Sequence, residues 1–220
     1  GDYVIGSNGK PIEVVGVFTQ GMKDIYKVTM NDGSSTLCCD EHLWEVSRYN
    51  KNVVLELSEI RKNYLTKRGD SIYYVKVAEP VNFPTKDLPL DPYLLGIILG
   101  DGSTRNNRLS ISTNDIEIIN YLKTLEDDDI YIKKLKSYNN KPNYDYGIMK
   151  KNKHKKHKII EQLRKLDLMD KYSYNKLIPQ EYLYGDINQR ISLLQGLMDT
   201  DGTISKNYII SYCTTSKQLC

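Results

Sequence analysis

The feature that most constrains this chain is a nine-residue pattern that occurs twice. Residues 94–102 read LLGIILGDG, and residues 194–202 read LQGLMDTDG. A second similarity follows each copy, since residues 111–114 (ISTN) resemble residues 212–215 (YCTT). A pattern that recurs at a fixed offset indicates a repeated structural unit. We therefore predict two units that each begin with a helix and are related by pseudo-twofold symmetry.

Each copy has small residues four positions apart. Gly96 and Gly100 lie on one face of the first predicted helix, and Gly196 and Thr200 lie on one face of the second. Small residues at this spacing allow two helix backbones to approach closely. We therefore expect the two helices to pack against each other in parallel.

Parallel packing would place Asp101 and Asp201 side by side at the helix C-termini, where Gly102 and Gly202 are expected to end each helix in the left-handed conformation. Carboxylates there face the negative end of the helix dipole and repel each other. A divalent cation removes both penalties, and hard oxygen ligands favour ions such as Mg²⁺. Metals held by paired carboxylates suit phosphodiester hydrolysis. Asp-Gly is also a common turn dipeptide, but two matched copies favour a function.

Composition excludes several other classes of protein. The 220 residues are 40% hydrophobic and 27% charged, which is typical of a globular chain and not of a disordered one. The longest uncharged apolar run, residues 93–100, is far shorter than the ~20 residues that span a bilayer. Four cysteines without a Cys-x-x-Cys pair favour reduced thiols over disulfides or zinc. We expect an intracellular, cytoplasmic protein, and the missing initial Met and signal pattern predict a piece of a longer one.

Lysines are concentrated in one segment, although the net charge is only +3. Residues 133–158 contain ten lysines and one acid, Asp145, and the chain has 18 tyrosines against two phenylalanines. Lysines interleaved with aromatic residues suit contacts with nucleic-acid phosphates and bases. A lysine-rich solvated face is the alternative. The lysines predicted to bind DNA are Lys133, Lys134, Lys136, Lys150, Lys151 and Lys153.

Local patterns predict two domains. Strand-forming segments dominate the start of the chain, a turn is expected at 31–33 and a short helix capped by Ser58 is expected to run to about residue 65. The strands are predicted at 14–18, 25–30, 43–46, 53–57 and 72–77. Prolines at 80, 84 and 89 indicate a boundary, so we divide the chain into 1–85 and 86–220. After Asp91-Pro92 the predicted order is helix, two strands, helix, two strands, helix, with a turn at 139–142.

The two nonapeptides resemble the LAGLIDADG motifs of homing endonucleases in the single-chain, two-repeat form. The resemblance implies that Asp101 and Asp201 are the catalytic, metal-binding acids and that the cofactor is Mg²⁺ or another divalent cation. It also implies a monomer with αββαββα repeats whose strands form a saddle over double-stranded DNA. The sixth motif position differs between the copies, with Leu99 in one and Asp199 in the other.

A second element of intein-type members of this family is also found. Residues 176–179 (KLIP) resemble their Lys-x-Ile-Pro element, which implies that Lys176 lies near the scissile phosphate. An ammonium there could polarise the phosphate or help to activate water. An exposed loop lysine is the alternative.

The first 80 residues resemble the Hint splicing fold of inteins. Residues 1–6 (GDYVIG) resemble the strand after the first intein block, and residues 39–42 (CDEH) resemble the Thr-x-x-His block, with Cys39 in place of Thr. The resemblance implies that His42 polarises the amide at the upstream splice junction. His42 could instead be a half-buried strand residue. The initial nucleophile and the terminal His-Asn of an intein are not in the sequence.

Taken together, these observations predict an α+β protein with an incomplete, all-β Hint domain at 1–85 and a LAGLIDADG domain at 86–220 whose second repeat is truncated. The predicted function is that of an intein-encoded endonuclease that makes metal-dependent double-strand cuts in the intein-free allele of its host gene. Host-protein exteins would be its other partners. Two alternatives remain, namely a non-catalytic DNA-binding or RNA-splicing protein on this scaffold, and a splicing-only intein with an inert second domain. We expect this chain alone neither to splice nor to cut efficiently.

Overall fold

The computed structural model describes residues 1–136 and 143–220. The turn expected at 139–142 and Lys141 lie outside the described residues. The described part is an α+β structure with six α-helices and small antiparallel sheets. It divides into two compact units, Gly1–Val81 and Asn82–Cys220. None of the helices in the described ranges is both long and apolar enough to cross a membrane.

The first unit consists mainly of three two-stranded antiparallel sheets followed by one short helix, α1 (Leu57–Ile60). The predicted turn at 31–33 is confirmed, and Gly33 adopts the left-handed conformation there with φ of 86°. The strand pairs are β1 (Tyr3–Ile5) with β2 (Pro11–Glu13), β3 (Ile25–Thr29) with β4 (Ser35–Cys39), and β5 (Leu43–Arg48) with β6 (Lys51–Glu56).

Three predictions for the first unit are wrong. Residues 14–18 form no strand, and Val15 is 96% exposed. Residues 72–77 contribute only an isolated bridge, in which Tyr74 pairs with Ser47. Strand propensity reflects how well a side chain packs on a pleated sheet beside neighbouring strands. Without such a neighbour, these two segments do not form strands. Helix α1 begins at Leu57 and ends at Ile60, because the Ser58 hydroxyl donates to a Glu56 carboxylate oxygen at 3.0 Å instead of capping.

The second unit contains the predicted order of elements. The first repeat is α2 (Pro92–Asp101), β7 (Gly102–Ser103), β8 (Ser110–Ser112), α3 (Ile116–Thr124), β9 (Ile130–Lys134), β10 (Asp145–Lys150) and α4 (Lys158–Lys165). Its strands form one antiparallel sheet in the order β7-β8-β10-β9. After a 3-10 helix (Ser173–Asn175) and α5 (Gln180–Leu183), the second repeat has α6 (Ile187–Asp201), β11 (Gly202–Ile204) and β12 (Ile210–Tyr212), the last two paired with each other.

Three helices of this unit, α2, α3 and α6, begin at acidic N-caps. Asp91 accepts a hydrogen bond from the Leu94 N–H at 3.0 Å, with Pro92 at the first helical position, as predicted. Asp115 caps α3, and Asp186 caps α6 with a capping box. Helix α2 is buried around its whole circumference, with residues 94–99 all in the core. Its apolar residues belong to one core cluster with residues of the sheet and of α3, α4 and α6.

The glycines predicted to bring α2 and α6 together lie at their contact. A side-chain carbon built on Gly96 would overlap the Leu193 carbonyl oxygen and would lie 2.8 Å from the Gly196 Cα. One built on Gly100 would overlap the Thr200 side chain. Residues that come later in α2 contact residues that come correspondingly later in α6, so the two helices are parallel and in register. The prediction of parallel packing is confirmed.

Candidate functional site

The helix pair brings the two motif aspartates to one end of the unit. Asp101 is the last residue of α2, and Asp201 is the last residue of α6. Because the helices are parallel and in register at Gly100 and Thr200, these C-termini are neighbours. The charge of Asp201 raises the pKa of the Asp101 carboxyl, as described below. The structure thus places the two predicted metal ligands at one site.

The glycines after the aspartates do not adopt the expected left-handed conformation. Gly102 has φ of −80° and Gly202 has φ of −84°, so both are extended. The chain passes directly from each helix into a strand, which requires extended backbone. Glycine is needed for a different reason, since a side-chain carbon at either position would overlap the carbonyl oxygen of Ile98 or Met198. The prediction of a left-handed C-cap is therefore wrong, and the close approach explains the residue.

Lys176 is buried at the same helix end. Its side chain is enclosed, with the whole residue only 6% exposed, so the alternative of an exposed loop lysine is wrong. Its ammonium nitrogen lies within hydrogen-bond distance of four carbonyl oxygens at the junction of α2 and β7, and its three N–H groups are shared among them. These are the oxygens of Ile98 (3.0 Å), Leu99 (2.9 Å), Gly100 (3.1 Å) and Gly102 (2.8 Å). A positive charge here also opposes the negative end of the helix dipole.

The segment that carries Lys176 is anchored on both sides of the side chain. The Ser216 hydroxyl, itself 1% exposed, donates to the Lys176 carbonyl oxygen at 2.6 Å. Leu177 and Ile178 pack against the core, and Pro179 precedes α5. Apolar side chains and one buried hydroxyl therefore hold the backbone in place, which allows the ammonium to reach α2.

Burial and mutual charge shift the pKa of all three groups. Burial raises the pKa of Asp101, and the Asp201 charge raises it further, while Lys176 partly opposes both effects. Burial also raises the pKa of Asp201, again opposed by Lys176. The pKa of Lys176 is lowered by burial and raised by the two carboxylates. When all three are ionised, two negative charges face one positive charge, so the site keeps a net negative charge.

The side chains at this site that could hold a divalent ion are the two carboxylates, Asp101 and Asp201. Within residues 1–136 and 143–220, no group of three or more His, Cys, Asp or Glu side chains is arranged to hold a metal. Mg²⁺ commonly binds one or two carboxylates and completes its shell with phosphate oxygens and water. A polar cavity of about 350 Å³ opens beside Asp101, lined by Thr113, Asn114, Asp115 and Asp199 among others. Of the two motif aspartates, Asp101 is the one that lines this cavity.

His42 lies in the first unit, directly before β5. It is exposed, so the alternative of a half-buried strand residue is wrong. Its ring stacks edge-to-face on Trp44 with centroids 5.8 Å apart, and its carbonyl oxygen accepts from the Leu57 N–H at 3.0 Å. Its own N–H donates to the Cys39 carbonyl oxygen at 3.2 Å, so residues 39–42 form a turn that presents the imidazole to solvent.

The predicted DNA-binding lysines lie on or after β9 and β10, and their side chains have different surroundings. All six are exposed residues. Lys134 lies over the Tyr146 ring, with its nitrogen 5.7 Å from the centroid. Lys150 instead folds back, and its ammonium donates to the carbonyl oxygens of Lys153 (2.9 Å) and Lys155 (2.8 Å). Lys150 therefore organises the loop before α4 and is a poor candidate for a phosphate contact.

Acidic residues outside the lysine-rich segment reduce its charge. Lys158 pairs with Asp127, Lys155 pairs with Asp129 at 2.8 Å, and Lys156 lies 3.7 Å from Glu161. Sequence counting within 133–158 missed these carboxylates, because they belong to the turn before β9 and to α4. The six lysines predicted to bind DNA, in contrast, form no ion pair with an acidic side chain in the described part of the chain.

A further link between the two motif helices was not predicted. The Tyr93 hydroxyl donates to an Asp199 carboxylate oxygen at 2.7 Å and so ties the first turn of α2 to the last turn of α6. Burial and this carboxylate raise the pKa of Tyr93. The sequence feature that could have predicted this link is the difference at the sixth motif position, which is the acidic Asp199 in one copy and the apolar Leu99 in the other.

Comparison with known proteins gives one relevant similarity. The chain matches no protein-family model. Over its whole length it is 27% identical, across 244 aligned positions, to a Mycobacterium intracellulare protein named "Replicative DNA helicase DnaB". The chain spans 36% of the length of that relative. It is therefore similar, along all of its residues, to one part of a replicative helicase polypeptide.

Proposed function

We propose that the second unit is a metal-dependent DNA endonuclease of the LAGLIDADG type. The observation that carries the proposal is the pairing of Asp101 and Asp201 at the ends of two parallel helices in glycine contact. Their raised pKa values mean that the fold keeps two carboxylates together at an electrostatic cost. Sites that retain such a cost are candidates for function, and a divalent cation relieves it.

The chemistry proposed for this site is hydrolysis of phosphodiester bonds. A bound Mg²⁺ ion would polarise the phosphate and lower the pKa of an attacking water. Asp101 and Asp201 hold the cation through their carboxylates. Lys176 fixes the end of α2 through its four carbonyl contacts and offsets part of the negative charge. It could contact a phosphate directly only by giving up some of these hydrogen bonds.

Double-stranded DNA is the proposed substrate. The exposed lysines of β9 and β10 lie in the same unit as the aspartate pair, and lysine–phosphate contacts supply most of the affinity of such surfaces. Serine side chains at both ends of β8 and Tyr131 on β9 add polar groups to this sheet. Hydroxyl groups of this kind can donate to phosphates or to base edges.

We further propose that the chain is part of an intein. It is similar to only 36% of a helicase polypeptide. Its sequence contains no Gly-x-x-x-x-Gly-Lys-Ser/Thr pattern, so the similarity does not involve the phosphate-binding loop that an ATP-driven motor needs. This relation is expected of an element inserted into a helicase. The exposed His42 in a Thr-x-x-His-like turn suits a role at a splice junction. The host exteins and the intein-free allele of the host gene are then the proposed partner and target.

The test is cleavage of a supercoiled plasmid that carries the uninterrupted helicase sequence, with a plasmid carrying the interrupted sequence as control. We expect nicking or linearisation with Mg²⁺ and none with EDTA, with slow cutting by the 220-residue chain and efficient cutting by a version that is extended by the next ~150 residues of its reading frame. Asp101→Asn and Asp201→Asn should each abolish cutting and leave DNA binding intact, whereas Asp128→Asn, at an exposed acid of the same unit, should cut normally. Full cutting by Asp101→Asn would overturn the assignment. Binding without any cutting by the unmodified extended version would favour the non-catalytic alternative, and neither binding nor cutting by it would favour an inert second domain.

A further inference from the structure

Two exposed tyrosine rings lie parallel to each other on the segment between the repeats. The planes of the Tyr172 and Tyr174 rings differ by 6°, and their centroids are 5.5 Å apart. The Arg105 guanidinium lies over the Tyr172 ring, 4.5 Å from its centroid, and donates to the Tyr172 hydroxyl at 3.3 Å. Tyr172 is 45% exposed and Tyr174 is 64% exposed. We call the side chains of Arg105, Tyr172 and Tyr174 the tyrosine platform.

Backbone contacts hold the two segments of the platform in place. The Asn175 side-chain oxygen accepts from the Tyr172 N–H at 2.6 Å and so closes the 3-10 helix that contains Tyr174. At the turn that carries Arg105, an Asp170 carboxylate oxygen accepts from the Asn106 N–H at 2.9 Å. The rings are therefore arranged before a ligand arrives, which lowers the entropic cost of binding one.

Arg105 belongs to a tight turn between β7 and β8 that carries a second arginine. Asn106 and Asn107 form the turn, both with positive φ, of 54° and 55°. The Arg108 N–H donates to the Arg105 carbonyl oxygen at 3.1 Å, and the strand register places these two residues opposite each other. Like charges in opposite positions of a strand pair are unfavourable. Neither arginine forms an ion pair with an acidic side chain within the described ranges, so an anion at this turn would relieve the repulsion.

The Tyr174 ring is at the open end of the stack. One of its faces lies toward Tyr172, and no other ring or cation lies over it among the residues that the structure describes. A planar aromatic group can extend the stack there, and nucleobases stack on such rings largely irrespective of their sequence. The two arginines supply the positive charge that neighbouring phosphates require. An open aromatic face beside arginines that lack acidic partners therefore suits a nucleic-acid strand better than an apolar protein segment.

We propose that the tyrosine platform binds an unpaired nucleobase of a DNA strand, with the base stacked on Tyr174 and with Arg105 and Arg108 serving the adjacent phosphates. A paired base is already stacked between its neighbours in the duplex, so the platform distinguishes an unpaired base from a paired one. Tyr174 comes two residues before Lys176, and Arg105 comes three residues after Gly102. Because the Lys176 ammonium contacts the Gly102 carbonyl oxygen at 2.8 Å, the platform is linked closely to the aspartate site. The inference goes beyond the proposed function, since it requires neither a metal nor cutting.

The test compares two labelled single strands that bind the full chain in metal-free buffer, with affinity measured by fluorescence anisotropy. One is an oligothymidylate of about eight nucleotides, and the other is an abasic strand of equal length and charge. The unmodified chain should bind the oligothymidylate about tenfold more tightly. Tyr174→Ala should remove this preference, whereas Tyr174→Phe keeps the ring and should retain it. Arg108→Gln should weaken the binding of both strands equally, because it removes only a phosphate contact. Tyr208→Ala, at a residue 88% exposed in the same unit, should change neither affinity.

Several results would overturn the inference. They are absence of binding, equal affinity of the unmodified chain for the two strands, and an equal loss in Tyr174→Ala and Tyr208→Ala. A loss of duplex affinity in Tyr174→Ala as large as the loss for the oligothymidylate would show that the ring contacts paired DNA instead. Self-association that depends on Tyr174, measured by sedimentation, would assign the platform to a second copy of the chain, and tighter binding of an oligouridylate would assign it to RNA. Plasmid cleavage tests the proposed function separately, so the failure of either can be recognised.

Discussion

The Lys176 ammonium donates to the Gly102 carbonyl oxygen at 2.8 Å, so a residue of the segment between the repeats holds the junction of α2 and β7. Three further carbonyl oxygens of α2 surround the same nitrogen. The position of Asp101, which lies between Gly100 and Gly102, therefore depends on a lysine far away in the sequence. The predictions that follow concern this site, the core and the lysines.

Lys176→Met should lower the free energy of unfolding by about 3 kcal/mol, since it removes a buried ammonium and its hydrogen bonds to the carbonyl oxygens at the end of α2. Urea denaturation measures the change, and Lys206→Met, at an exposed lysine, is the matched control. Lys176→Arg should not restore stability, because a planar guanidinium cannot converge on four oxygens around one point. Stability equal to that of the unmodified chain in Lys176→Met would show that these contacts contribute little.

Asp101→Asn should make the metal-free protein more stable at pH 7. The folded-state pKa of Asp101 is raised above its ordinary value of 3.8, so the folded state binds the proton more tightly than the unfolded state does. The stability contributed by this group is greatest below pH 3.8 and falls as the pH rises through the folded pKa. The side-chain amide that replaces the carboxyl does not ionise, so the substitution removes this loss of stability at pH 7. The Tm should therefore rise by about 2 °C.

Mg²⁺ should make the unmodified protein more stable than the Asp101→Asn variant. A cation that binds only the folded state stabilises it, so Mg²⁺ should raise the Tm of the unmodified protein and leave that of Asp101→Asn unchanged. Calorimetry at pH 4 and pH 7, with and without Mg²⁺, measures both effects. A lower Tm for Asp101→Asn than for the unmodified protein at pH 7 without metal would contradict the electrostatic account.

Equivalent apolar residues in the two repeats should differ in their contribution to stability. Leu109, directly before β8, is 2% exposed, whereas Ile210, its counterpart by strand register, is 67% exposed. Leu109→Ala should cost about 2–4 kcal/mol in urea denaturation. Ile210→Ala should change stability by less than about 0.5 kcal/mol. Equal losses would mean that Ile210 is covered in solution, which sedimentation would then test as self-association.

Exposed lysines on and after β9 and β10 should contribute to the salt dependence of DNA binding. Replacing Lys133, Lys151 or Lys153 by Gln should each reduce the slope of log affinity against log salt by about one unit. Lys155→Gln should have a smaller effect, because its ammonium is paired with Asp129. Lys150→Gln should lower Tm instead, since it removes the two loop contacts. An unchanged slope in all variants would show that the segment is a solvated face.

The local sequence pattern was sufficient for the elements that depend on neighbouring residues. Apolar periodicity, acidic caps and small residues four apart predicted α2, α3, α4 and the order of strands between them, and they placed Asp101 and Asp201 at adjacent helix ends. These features are decided within one or two helical turns. Strand propensity alone was insufficient at 14–18 and 72–77, where pairing requires a partner strand from elsewhere.

The repeated nonapeptides by themselves determined the parallel helix pair and the aspartates at its end. Only the tertiary structure decided that Lys176 is buried against α2 and that acids outside the lysine-rich segment neutralise part of it. The physical reason is that burial and charge pairing depend on which distant segments meet. Helix periodicity and capping, in contrast, are set by residues that are close together along the chain.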